Sequence, residues 1–340
     1  MRGGVVRNMK KGILPLVVLV LLGLLLPGCD TPSTGSETED ETVWLSMNTA
    51  YALPTALPDG GGQRVKVILL LGQSNATGCG LNSYLKKRLG KETYAIYADG
   101  FSSVWINYCL DDHKASSSGE FVKVDLTCGA AEGYFGPEVG LAEVLSKEYG
   151  DETVVILKYS MSGYSLHYHW LSQGKRGSIY EAFLTFARTY LDALRSHHYD
   201  ARVGAICWMQ GESDTTDFKA ERYYDNQTHL VSYLREDLAP YAEEGGIYFI
   251  DAGISNSPYC EPAYPTINAA KAEFAKVSPL NLYFSTIDEG LTVHLEPEGD
   301  PDWGHYDSMS VLKLGHLFGE YVVRSYELRQ QSSSAPSQNP

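Results

Sequence analysis

Positive charge is scarce in this 340-residue sequence. Its 27 lysines and arginines face 42 aspartates and glutamates, a formal net charge of −15, and no run of Lys and Arg is longer than the three residues Lys86-Lys87-Arg88. Nucleic acid and anionic lipid surfaces both require a cationic face, so neither is expected as a partner. Cysteine is sparse too: six occur, none in a CxxC pair and none at a Cys/His ligand spacing, which argues against structural zinc. No internal repeat is visible. What remains is 44% apolar and 11% aromatic residues, ample for a real core. The length suits one large α/β domain with tails as well as it suits two domains.

The first 28 residues read as a targeting device. Arg2, Arg7, Lys10 and Lys11 precede an uncharged Leu/Val-rich run from Gly12 to Gly28, a basic region and an apolar region too short for a membrane span. Leu26-Pro27-Gly28-Cys29 resembles the bacterial lipoprotein cleavage box, with Pro27 in place of the usual small or β-branched residue. That resemblance implies export and a lipid anchor on Cys29, holding the protein at the cell surface or in the periplasm. A plain secretory signal with an incidental Cys29 is the alternative. Residues 29–63, with TPSTGSETEDET at their centre, are acidic and rich in Ser, Thr, Pro and Gly. Such a segment buries too little apolar surface to offset its ordering entropy and is expected to be a tether. Residues 329–340 have similar composition, leaving 64–328 as the ordered domain. Export permits disulfides. Cys109 and Cys128 would close a modest loop, while Cys207, within an apolar run, reads as a buried hydrophobe.

Inside 64–328, apolar β-rich tracts alternate with segments of helical period. Strands are expected at VKVILLLG from Val65, TVVILKYS from Thr153, VGAICWMQ from Val203, GIYFIDAGI from Gly246 and LYFSTI from Leu282. Their continuous apolar character suits strands covered on both faces. Helices are expected from Pro137 to about Tyr149, from Gly177 to Ser196, from Lys219 to Leu238, and after His305 through Val311, Leu314, Phe318 and Tyr321. This alternation predicts a three-layer α/β/α sandwich around a mainly parallel five-stranded sheet. Ligands of such sheets bind beyond the carboxyl ends of the strands.

One strand end stands out. The tract Leu69-Leu70-Leu71 runs through Gly72 directly into Gln73-Ser74-Asn75. Gly72 permits a sharp turn there, and a segment starting a helix presents free amides. A serine hydroxyl so placed can attack a carbonyl while its own amide donates to the resulting oxyanion. A Gln-Ser-Asn helix cap is the plainer reading of that string alone.

Three further stretches fall at or beyond strand ends: Tyr159-Ser160-Met161-Ser162-Gly163-Tyr164-Ser165-Leu166, Trp208-Met209-Gln210-Gly211-Glu212-Ser213-Asp214, and Asp302-Trp303-Gly304-His305. In this order, with GQSN, they resemble the SGNH (GDSL-like) hydrolase superfamily, in the branch of sialate O-acetylesterases and carbohydrate esterase family six. The resemblance runs from about Val65 to Tyr321. It implies a flavodoxin-like sandwich and a carbohydrate O-acetylesterase acting on sialic acid or plant polysaccharide, with no metal or organic cofactor. Ser74 would be the nucleophile and His305 the general base. The carboxylate orienting His305 would be Asp302, or Glu212 instead of it or together with it, with Asp307 a weaker third candidate. Gly163 would give an oxyanion-hole amide, although Ser162 replaces the glycine that precedes it in the family. Gln210 would be an amide donor or a positioning group, and Gln73 and Asn75 further donors. Tyr164, Tyr168 and Trp170 are candidates for stacking on a sugar. The readings kept beside this one are a surface glycan-binding lipoprotein with a vestigial site, and an esterase of lipid or aryl esters.

Overall fold

The computed structural model describes residues 57–334, residue 151 excepted. The export segment, Cys29 and the tether as far as residue 56 lie outside the described residues. Eight strands form the central sheet: β1 (Arg64–Gly72), β2 (Phe101–Leu110), β3 (Ala115–Ser116), β4 (Val122–Val124), β5 (Val154–Ser160), β6 (Asp200–Met209), β7 (Tyr248–Ala252) and β8 (Asn281–Phe284). Six long helices accompany them: α1 (Asn82–Asp99), α2 (Glu138–Tyr149), α3 (Ser178–Ser196), α4 (Tyr223–Asp237), α5 (Tyr264–Ala275) and α6 (Ser308–Ser334).

Across the sheet the order is β8-β7-β6-β1-β5-β2-β3, with β4 also on β2. The pairs from β8 to β2 are all parallel, and β3 and β4 pair antiparallel with β2. All five expected strands are present, and the sheet is wider than the five predicted. The additional parallel strand, β2, reads FSSVWINYCL and is buried only intermittently, so its serines and Asn107 hide it in a search for continuous apolar runs. Counting parallel strands alone the order is 2-3-1-4-5-6, against 2-1-3-4-5 in flavodoxin itself. β1 therefore lies between β5 and β6, and every residue from Val67 to Gly72 is buried.

Helices cover both faces, which is why these strands are apolar throughout. Trp208 and Phe249 pack against Trp170 and against Phe274 of α5 on one face. Phe284 packs against Phe318 of α6 on the other. The predicted periodicity of α3 holds, with Ile179, Phe183, Phe186, Tyr190 and Leu194 all buried. α2 and α6 cross in contact because two glycines meet there: a Cβ on Gly315 would sit 2.1 Å from the Pro137 carbonyl oxygen and 2.8 Å from the Gly140 Cα.

The Gly60 and Gly62 amides donate to the His197 and His198 carbonyls at 2.8 Å, so the end of the supposed tether is tied to the domain. α6 continues to Ser334 past the expected end at 328. Arg329 is the reason: its guanidinium donates to the carbonyls of Gly204 and Gly246 and lies over the Tyr248 and Tyr326 rings. Among the described residues no helix is long and apolar enough to cross a membrane. The five described cysteines are buried thiols, and the Cys109–Cys128 loop is not closed by a disulfide; the Cys109 Sγ instead lies 3.2 Å from His113 Nδ1.

Candidate active site

The four motif stretches converge at the carboxyl edge of β1, β5 and β6. Gly72 leaves β1 with φ 149°, and a Cβ there would lie 1.9 Å from the Met209 carbonyl oxygen at the end of β6. Only glycine allows that approach. The chain then closes a short helical turn, Ser74–Thr77, in which the Ala76 and Thr77 amides donate to the Gln73 carbonyl and the Gly78 amide to that of Ser74. Ser74 opens this turn and is almost buried.

Asn75 joins three of the stretches. Its Nδ2 donates to Glu212 Oε1 at 2.6 Å and to the Gly304 carbonyl at 3.3 Å, and its Oδ1 accepts from the Tyr306 amide at 3.1 Å. Both chain neighbours of His305 are thus bonded to the residue that follows Ser74. Gln73 secures the other side, its Oε1 accepting from the Gly211 and Ser213 amides at 3.3 and 3.1 Å.

His305 Nδ1 lies 2.7 Å from Asp302 Oδ2. Asp302 Oδ1 accepts from the Gly304 amide at 3.0 Å, so the intervening loop closes around the carboxylate. Burial pushes the Asp302 carboxyl up, but the hydrogen bond and charge of His305 and two backbone amides outweigh it and hold the group below its ordinary value. An ionised Asp302 at Nδ1 fixes the proton there and leaves Nε2 with a lone pair, the form a general base requires.

Glu212 is fully buried, and burial pushes its carboxyl up, against the Asn75 hydrogen bond and the charges of Lys271 and His305. It is bonded to Asn75, whereas the His305 Nδ1 contact belongs to Asp302. Asp307, the third candidate, accepts from the Leu295 amide at 3.0 Å and braces the preceding loop.

Of the two roles expected of Gln210, amide donor or positioning group, its contacts fit the second. Its Nε2 donates to Asp214 Oδ2 at 2.6 Å and to the Tyr164 carbonyl at 3.4 Å, while its Oε1 accepts from the Tyr223 hydroxyl at 3.0 Å. Its amide is committed to bracing neighbouring loops. Asn75 is committed in the same way. Gly163, with φ 78°, lies in the turn after β5. Its neighbour Ser162 is held by Asp111 at the end of β2, the amide at 2.6 Å and the hydroxyl at 2.8 Å.

Trp170 is corrected: it is wholly buried against Tyr159, Phe183 and Trp208 and presents no face to a ligand. Tyr168 is 40% exposed. The two histidines beside it serve local bonds, His167 Nδ1 meeting Asn226 Nδ2 at 3.0 Å and His169 Nδ1 meeting the Ser165 hydroxyl at 3.0 Å.

Sequence reading missed the groups beneath the site. Lys158 on β5 is fully buried, and its Nζ donates to the Thr77 and Cys128 carbonyls at 2.8 Å and to Glu138 Oε2 at 2.6 Å. A single lysine inside VVILKYS was the available signal, since a buried charge needs a partner. Lys271 on α5 is its counterpart under the third stretch, bonded to Asp251 Oδ1 at 2.5 Å and to the Ala252 carbonyl at 3.0 Å.

A three-layer α/β sandwich in which Asn75, next to Ser74, ties the end of β1 to Glu212 and to both neighbours of His305 is the class of architecture observed. Residues 64–324 match the family described as carbohydrate esterase, sialic acid-specific acetylesterase, and the chain belongs to that family. Among solved structures it is similar to a protein from Arabidopsis thaliana (18% identity, TM-score 0.55, covering 79% of this chain and 99% of that one). It is also similar to NanS (14%, TM-score 0.52, 78% and 98%) and to a carbohydrate acetylesterase from Xanthomonas citri (13%, TM-score 0.49, 76% and 55%). At these identities the likeness is one of fold. No curated protein matches the chain.

Proposed function

We propose that this carbohydrate esterase is a serine hydrolase that removes O-acetyl groups from sugars, sialic acid among them. The observation that carries the mechanism is the bracket around His305: Asp302 on its Nδ1 at 2.7 Å, and Asn75, the neighbour of Ser74, bonded to both residues that flank it. Ser74 Oγ attacks the acetyl carbonyl carbon and passes its proton to His305 Nε2. The Ser74 and Gly163 amides donate to the oxyanion, each well-placed donor being worth roughly 3 to 4 kcal/mol. Collapse breaks the ester C–O bond, and the sugar hydroxyl leaves with the proton from His305. Water then attacks the acetyl-serine with His305 again as base, releasing acetate and restoring the Ser74 hydroxyl. Asp302 stabilises the imidazolium, and Glu212 acts through Asn75 to hold the first and last stretches in register.

The basic and apolar N-terminus and Cys29 support export and lipid anchoring as part of this reading. Lipid labelling that persisted in Cys29→Ser would remove the anchor from it.

The test of the activity is acetate release from O-acetyl sialic acid, acetylated xylan and an aryl acetate by the wild-type chain and by Ser74→Ala. Release that disappears with the serine is expected. Release that survives in Ser74→Ala overturns the acyl-enzyme, and glycan binding without any release would assign the fold to recognition.

A further inference from the structure

A cavity of about 440 Å³, lined by none of the residues proposed for catalysis, opens between the π-helical turn Leu166–Trp170 and the start of α4. Its lining includes His167, Tyr168, Phe218, Arg222, Asp225 and Asn226. Tyr168 and Phe218 are 40% and 49% exposed, and their rings stand nearly perpendicular, at 81°, with centroids 6.5 Å apart. They form an aromatic corner open to solvent. Its base is rigid: His167 is buried edge-on to both rings, with centroids at 4.6 and 5.3 Å, and its Nδ1 is bonded to Asn226. The Arg222 side chain is exposed and makes no ion pair among the described residues, although acidic residues predominate in the chain.

Aromatic faces, a planar guanidinium and a carboxylate around one concavity match the surface of a sugar ring, which offers C–H faces to the aromatics and hydroxyls to the polar groups. The volume lies within the usual range for a small-molecule site. A built connection fixes its position relative to the reaction. Asp214 accepts from the Leu166 amide at 2.7 Å and from the His167 amide at 3.1 Å, pinning the cavity wall. Asp214 ends the three-residue turn that Glu212 begins, and Glu212 is bonded to Asn75 beside Ser74. Two residues of chain span at most about 7 Å, so one short turn holds both the cavity wall and the support of the nucleophile.

We propose that this cavity is a second carbohydrate subsite, which binds the sugar unit next to the one that carries the acetyl ester. The preferred substrate is then an acetylated oligosaccharide rather than the free acetylated monosaccharide. This rests on the esterase reading above and specifies its substrate.

The test compares kcat/KM for acetate release from an acetylated monosaccharide and from an oligosaccharide carrying the same acetylated unit. It uses the wild type and the exposed-site variants Tyr168→Ala, Phe218→Ala and Arg222→Ala. The wild type is expected to favour the oligosaccharide, and each variant to lower the oligosaccharide-to-monosaccharide ratio about fivefold to tenfold, mainly through KM. A wild-type ratio of one, or variant ratios equal to that of the wild type, overturns the subsite. Calorimetric binding of the two sugars to Ser74→Ala separates this proposal from the activity on which it rests. Tighter oligosaccharide binding that is lost in Ser74→Ala/Tyr168→Ala supports the subsite even if no acetate is released by the wild type, whereas equal binding of both sugars overturns it.

Discussion

Asp111 holds Ser162 with both carboxylate oxygens, Oδ1 receiving the amide and Oδ2 the hydroxyl. It is the first of three consecutive non-glycine residues with positive φ: 46° at Asp111, 57° at Asp112 and 66° at His113. Conformations of this kind cost on the order of 1 kcal/mol or more each and persist where surrounding contacts over-determine them. Ser162 precedes Gly163, so this clamp fixes the turn in which Gly163 lies. Asp111→Ala is expected to lower kcat about ten- to hundredfold, with KM little changed and the circular dichroism spectrum retained. A matching loss in KM, or no loss in kcat, would make the clamp purely structural.

Asp302 and Glu212 are expected to contribute differently, because Asp302 meets His305 Nδ1 whereas Glu212 is bonded to Asn75. Asp302→Asn removes the charge that fixes the Nδ1 proton and is expected to cost about 10³- to 10⁴-fold in kcat. Glu212→Gln keeps an oxygen for Asn75 Nδ2 and relieves a buried carboxylate, so a loss of about tenfold is expected. Steady-state turnover of the two variants decides the matter. The reverse ranking would transfer the orienting role to Glu212.

Much of this arrangement is legible in sequence because strand ends and short motifs coincide. The tract ending in Gly72 reads as a buried strand, and GQSN follows it without a gap. What stays hidden is whatever breaks the expected apolar pattern. α1 buries only Leu85 and Tyr97 and is interrupted at Gly90, and α5 buries Lys271 among its few core positions, so neither shows a clear apolar stripe. The choice between the two roles expected of Gln210 is equally invisible, since an amide's direction depends on Asp214 and Tyr223, which only the fold brings to it.

Glu143 makes stability depend on acid. The His316 hydrogen bond is the largest influence on it and, with those from Lys147 and Tyr97, outweighs burial to hold its carboxyl at about 2. A carboxyl depressed in the folded state contributes stability above its unfolded pKa, near 4.5, and loses that contribution as pH falls towards 2. With solvent screening of this partly exposed group taken into account, the contribution is about 1–2 kcal/mol. Glu143→Gln is therefore expected to lower the urea midpoint at pH 7 and to approach the wild type near pH 2. A difference independent of pH would refute the linkage.

Lys158 and Glu138 couple stability to the geometry of the turn that Ser74 opens. Both side chains are fully buried, and burial pushes the Glu138 carboxyl up while the Lys158 charge opposes the shift. Lys158→Met leaves that carboxyl without its cation and is expected to cost about 3–5 kcal/mol in urea denaturation. Adding Glu138→Gln removes the unpaired charge but keeps an oxygen for the Gly136 amide, so about 1–3 kcal/mol should return. Activity should not return with it. The Thr77 carbonyl, which closes the turn begun by Ser74, would still lack the ammonium that fixes it. A double variant that regained wild-type kcat would show that the lysine supports the fold alone, whereas recovered stability with depressed kcat would place it among the groups that aim Ser74.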